Sequence, residues 1–269
     1  MLSKFYNLNP LLQSLIGGIF TWFVTLIGSA TIFLNKKPNR KIFDIALGFA
    51  GGVMIAASFF SLILPSIEYS KKLSIPLWFS ISSGILAGTL FLLFLDKFIP
   101  HLHINSKIEE KEGVKTELPV YLLLVFAITL HNIPEGIAVG VSFGSLKYNM
   151  NFENFLSSLS LTIGIGVQNF PEGFAVSFPL STSGISKFRS FFLGQLSGLI
   201  EPLFAILGAI FVTYFTKILP YALSFAAGAM IYVVIEEVIP ETQKAGNTDL
   251  ATFSFMLGFI IMTILDISI

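Results

Sequence analysis

Two stretches of this 269-residue chain carry groups that are costly inside an apolar run. HNIPEGIAVG begins at His131, and QNFPEGFAVS begins 37 residues later at Gln168. Asn132/Asn169, Pro134/Pro171, Glu135/Glu172, Gly136/Gly173, Ala138/Ala175 and Val139/Val176 all match at that one offset. Residues i and i+4 of a helix share a face, so His131 stands over Glu135 and Gln168 over Glu172. The asparagines reach the same glutamates from i−3. Each motif is therefore a small cluster of ligand atoms. Pro134 frees the carbonyl of Leu130, and Pro171 frees that of Val167. Such carbonyls persist at membrane depth only when buried in protein or lining a wet cavity.

Glu201, followed by Pro202, adds a third carboxylate in mid-span, and no Lys or Arg lies at comparable depth. A carboxylate at the centre of a bilayer costs about 2.5–3.5 kcal/mol on insertion scales, so three together need protonation or a bound cation. One imidazole, three carboxylates and three amides suit one or two divalent ions, with zinc, ferrous iron, manganese and cadmium all chemically admissible. A single proline-kinked span with one glutamate could equally be a structural bend. The matched pair with Glu201 favours ligands.

The elements that must position these groups follow from composition. The chain is 54% hydrophobic and only 12% charged, the profile of an all-α membrane protein, and it lacks the alternating ten-residue segments of a closed barrel. The formal net charge is zero, which gives no reason to expect a nucleic-acid partner, and the absence of cysteine excludes disulfides, thiolate ligands and cysteine nucleophiles. Breaks at Pro, Gly, Asn and charge clusters predict eight spans at 9–34, 44–67, 75–99, 119–143, 155–180, 188–214, 218–240 and 248–268. The first lacks a small-residue cleavage site and reads as a span, not a removed signal peptide. The charged segment 101–117 reads as a mobile loop within a single domain over 1–269.

Lys36, Lys37, Arg40, Lys41, Lys97, Lys107, Lys111, Lys115, Lys187, Arg189 and Lys244 fall on one side, against Lys4, Lys71, Lys72, Lys147 and Lys217 on the other. The excess marks the cytoplasmic face and places both termini outside. The fourth and fifth spans then run in opposite directions despite their matching motifs. FAGGVMI from Phe49 and FAAGAMI from Phe225 repeat at an offset of 176, also in opposed spans. Inverted repeats around a polar centre are the pattern of secondary transporters.

With these residues in view, the chain resembles the ZIP (Zrt/Irt-like) family of divalent metal transporters, particularly its bacterial, broad-specificity branch. The resemblance spans essentially the whole chain and is most specific at HNIPEG and QNFPEG. It implies a two-metal centre. His131, Glu135, Gln168 and Glu172 would hold one ion, and Asn132, Glu135, Asn169, Glu172 and Glu201 the other. It further implies a 3+2+3 helix arrangement, uptake into the cytoplasm across a cell membrane (a bacterial inner membrane for that branch), and a homodimer. Spans 1, 4, 5 and 6 would move like an elevator against spans 2, 3, 7 and 8. The metal, zinc first, is cargo, and no resident cofactor is expected. Many members have histidine in place of Gln168 and several have aspartate in place of Asn169, which bears on metal preference and on the second ion.

DKFIPHLH and EEVIPET suggest a second, cytoplasmic exit site with Asp96, His101, His103, Glu236, Glu237 and Glu241, weighed evenly against solvated helix ends. Glu68 on the other face could draw cations in, although a plain surface acid is the simpler reading. Two other functions compete. An intramembrane metalloenzyme would use the same ligand types, but HNIPE is not the H-E-x-x-H pattern of zinc hydrolases. A passive channel is slowed by a tight multi-ligand site.

Overall fold

The computed structural model describes residues 2–34, 40–101, 113–114, 116–182 and 184–268. The described elements are all helices: α1 (Leu2–Tyr6), α2 (Pro10–Ala30), α3 (Arg40–Ala57), α4 (Leu64–Lys72), α5 (Leu77–Phe98), α6 (Val120–Ser145), α7 (Phe152–Thr182), α8 (Lys187–Gly198), α9 (Ile200–Tyr214), α10 (Leu219–Val233), α11 (Ile239–Gln243) and α12 (Thr248–Ile267). Local chemistry sets several ends. The Asn9 side chain accepts the Leu12 amide at 2.8 Å, and Pro10 stands where a helix needs no N–H donor. Ser186 caps α8 in the same way through the Arg189 amide.

Among the described residues, seven helical stretches are long and apolar enough to cross a membrane: Pro10–Phe33, Arg40–Lys72, Leu77–Phe98, Tyr121–Ser145, Lys187–Tyr214, Leu219–Gln243 and Thr248–Ile267. This is an all-α, multi-pass membrane protein. The expected count of eight is not reproduced on these criteria, because the predicted 155–180 span falls short. It is helical throughout, as α7, and at 31 residues is the longest helix. Its apolar run is interrupted by Ser158, Ser160, Gln168, Asn169, Glu172 and Ser177, all of them buried. A helix enclosed by others need not be apolar all round.

The distribution of polarity is that of a protein in lipid. Trp78 and Phe253 point outward with 75% and 65% exposure, while small hydroxyl residues such as Thr21, Thr25, Ser66 and Ser80 are buried. Helices in a bilayer gain nothing from burying apolar surface against one another and associate through small residues and hydrogen bonds. Helix α2 packs with α6, α7, α8 and α9; α12 lies along α3 and α5 along α10. The two groups meet where α10 touches α6 and α3 touches α7.

Two helices widen into π segments, Ser58–Ile63 and Val234–Val238, each followed by a proline at the second position of the next helix, Pro65 and Pro240. A proline has no N–H for the carbonyl four residues earlier, here Ser61 and Glu236, and an inserted residue absorbs the mismatch. The segments start at 58 and 234, the same offset of 176 that relates FAGGVMI to FAAGAMI. By contrast, α6 continues through Pro134, and α7 through Pro171 and Pro179, as α-helix.

Candidate metal centre

The glycine after each motif glutamate sets the neighbours of the site. A methyl group on Gly136 would lie 2.7 Å from the Glu201 carbonyl oxygen, and one on Gly173 would lie 2.0 Å from that of Thr25. Only glycine permits these approaches. The first brings α9 and Glu201 against the motif on α6; the second brings α2 and its threonines against the motif on α7.

Asn132, Glu135, Gln168, Asn169 and Glu201 are fully buried, and Glu172 is nearly so. Gln168 Nε2 donates to Glu135 Oε1 at 2.6 Å. Asn169 Nδ2 donates to both Glu201 oxygens, at 2.9 and 2.8 Å, and lies 3.3 Å from the Thr21 carbonyl oxygen. Glu135 sits within electrostatic range of Glu172 and Glu201, and Glu172 within range of Glu201 and Glu237. No Lys or Arg among the described residues pairs with Glu135, Glu172 or Glu201. Asn132 Oδ1, Glu135 Oε2, Gln168 Oε1, Asn169 Oδ1 and Glu172 Oε2 are buried without a hydrogen-bond partner. Buried polar atoms are nearly always satisfied, so five orphaned oxygens on the two motifs are an unusual concentration of open lone pairs. Among the described residues the His, Asp and Glu side chains do not by themselves form a three-ligand cage.

His131 pairs with a group outside the two motifs. Its Nε2 is 2.6 Å from Oε2 of Glu237, a residue expected in the separate exit cluster. The other described members of that cluster have different partners. Asp96 accepts from the Tyr232 hydroxyl at 2.9 Å and lies 3.8 Å from His101 Nε2. Glu241 pairs with Arg40 at 2.8 Å and Lys244 at 3.1 Å. Glu236 is exposed, and His103 lies outside the described residues. Glu68 lines a cavity of about 230 Å³ together with Glu153 and Asp266.

The sequence reading missed Thr21 and Thr25, whose hydroxyls lie beside the Glu201 carboxylate. The available signal was Thr21, Thr25 and Ser29 at spacing four on one face of an apolar span. Nothing local joins His131 to Glu237 across 106 positions.

A multi-pass helical bundle enclosing carboxylates and amides with open lone pairs belongs to the class of membrane proteins that handle cations. Comparison with known proteins gives the family. The family described as "ZIP Zinc transporter" matches residues 102–266. Zinc transporter ZIP11 of Homo sapiens is 36% identical over 97% of this chain and 98% of its own length. Zinc transporter GufA of Myxococcus xanthus is 34% identical over 95% and 98%, and Zinc transporter ZIPB of Bordetella bronchiseptica 36% over 94% and 80%. The chain belongs to the ZIP family, whose members are transporters and not enzymes. The relatives span animals and bacteria, so the family is fixed without its branch.

Proposed function

We propose that this protein carries divalent transition-metal cations, zinc first and ferrous iron, manganese or cadmium among the alternatives, across a cell membrane into the cytoplasm. The observation that carries this reading is the set of five buried, unpartnered oxygens beside three carboxylates that have no protein cation. The metal supplies the missing charge. It is held first by Glu135, Gln168 and Glu172, with His131 turning in from Glu237. The neighbouring position is formed by Asn132, Glu135, Asn169, Glu172 and Glu201.

In this reading α7 is the eighth span, the helices form a 3+2+3 inverted arrangement over 1–269, both termini lie outside, and the chain pairs as a homodimer. The unit that moves is α2, α6, α7, α8 and α9, sliding against the rest. Two features support such a boundary. A largely apolar groove of about 960 Å³ separates Ile137, Phe204 and Phe211 on one side from Phe91, Tyr221 and Phe225 on the other. The polar contacts that join the two groups of helices include His131 to Glu237 and Ser160 to Asp266, at 2.9 Å. Asp96, His101 and the Glu237 end of α10 lie on the expected cytoplasmic route.

Purified protein in liposomes tests the carrier. Saturable uptake of radioactive zinc should be lost in Glu135→Ala and in Glu172→Ala while both variants insert normally. Unchanged uptake in both would remove the site assignment, and metal bound but never delivered to the lumen would remove the carrier.

A further inference from the structure

We propose that the apolar groove between α5 and α10 on one side and α6 and α9 on the other is a phospholipid site, with one acyl chain in the groove and an anionic headgroup on Lys147 and Lys217.

The groove, of about 960 Å³, has two unlike ends. At one, Phe91 and Phe225 stand with Phe204, the first two rings 5.4 Å apart between centroids. At the other, Tyr214, Phe215 and Tyr221 line it. This second end lies where the helices begin and stop: α6 ends at Ser145, α9 ends at Tyr214 and α10 starts at Leu219. The spans leave the hydrocarbon there. From Phe204 to Tyr214 a helix rises about 15 Å, half of a hydrocarbon core about 30 Å thick. The groove therefore runs the depth of one leaflet, the distance that a lipid tail covers below its headgroup.

The mouth carries the groups that a headgroup needs. Lys147 is exposed in the turn after α6, with Nζ 5.5 Å from the centre of the Tyr214 ring and 3.3 Å from the Thr213 carbonyl oxygen. An ammonium has three donors, and that carbonyl uses one. Lys217 is exposed in the turn Thr216–Ile218, directly between α9 and α10. Among the described residues neither lysine pairs with a carboxylate. Lysines and tyrosines at span ends lie at headgroup level, and basic pockets between spans bind anionic headgroups. A helix of a second copy docked in the groove would meet two uncompensated cations, whereas a phospholipid brings the opposite charge together with the apolar chain. A chain seated there touches both groups of helices at the place where α6 meets α10, and becomes part of the joint between them.

Native mass spectrometry of the full-length protein, released from nanodiscs of mixed phosphatidylcholine and phosphatidylglycerol, tests the site. Wild type should retain one phospholipid per chain, enriched in phosphatidylglycerol. Ala87 is exposed in the groove wall on α5, away from the metal centre, and Ala87→Trp should fill the groove and abolish retention at unchanged thermal stability. Lys147→Gln combined with Lys217→Gln leaves the groove intact and should weaken phosphatidylglycerol retention roughly tenfold, with phosphatidylcholine unaffected. Wild type that retains no lipid, or a folded Ala87→Trp that retains as much as wild type, would overturn the proposal. So would a lysine variant that keeps the preference for phosphatidylglycerol. Ala87→Trp that splits a dimer without changing the lipid content would put a second copy in the groove in place of the lipid.

Discussion

The motifs on α6 and α7 match at six positions, yet the structure surrounds them differently. On α7, Gln168 and Asn169 reach inward to Glu135 and Glu201. On α6, His131 reaches Glu237 on the segment after α10, while both polar atoms of Asn132 are unpartnered. Their glycines also face different helices, α9 for Gly136 and α2 for Gly173. Repeated sequence places like groups on like faces of two helices. What each face meets is decided by tertiary packing, and here the α7 amides meet Glu135 and Glu201 while the α6 imidazole meets Glu237.

The largest expected effect on this contrast comes from separating the motif on α6 from α9. A methyl on Gly140 would lie 2.1 Å from the Ala205 carbonyl oxygen, a backbone atom that cannot swing aside. Gly140→Leu should force the two helices apart, lowering stability by more than the about 1–3 kcal/mol typical of overpacking and abolishing zinc uptake. Thermal unfolding in detergent measures the first part. A variant as stable and active as wild type would mean that the α6–α9 contact does not set the position of Glu201.

Exchanging the first residues of the motifs should have a smaller effect. His131→Gln makes the α6 motif start like that on α7 and removes the imidazole partner of Glu237; zinc uptake at low concentration should fall about tenfold, the equivalent of roughly 1.4 kcal/mol. Gln168→His gives the centre a nitrogen ligand and should tighten zinc binding relative to manganese, because imidazole suits the former better. Equal competition by the two metals in wild type and Gln168→His would show that residue 168 does not touch the ion.

The parts legible from sequence were those whose cause is local. Prolines, glycines and apolar runs placed most of the helices, whereas the i/i+4 spacing grouped residues within one motif whose partners in the structure lie on other helices. The predicted span at 155–180 was harder to judge by apolarity, since α7 keeps several polar side chains buried against protein. The π segments have a local cause in Pro65 and Pro240, but whether a helix kinks, continues or widens at a proline depends on its neighbours, as Pro134 and Pro171 illustrate. Partners far apart in the chain left no trace: Glu237 reads as one acid among several at a helix end until α10 is laid against α6. The same holds for Thr21 and Thr25, ordinary residues of an apolar span until Gly173 lets α2 approach.

Thr25 carries the smallest predicted effect. Its hydroxyl flanks Glu201 and also bonds back to the Thr21 carbonyl, so Thr25→Val removes polar contact at nearly constant volume. A hydrogen bond of this kind contributes about 0.5–1.5 kcal/mol net, and Asn169 still holds both Glu201 oxygens after the change. Stability should therefore drop by about 1 kcal/mol, with zinc still bound and transported. If Thr25→Val instead abolished binding, the hydroxyl would be a direct ligand, and the contrast between the motifs on α6 and α7 would have to include α2 as a third contributor.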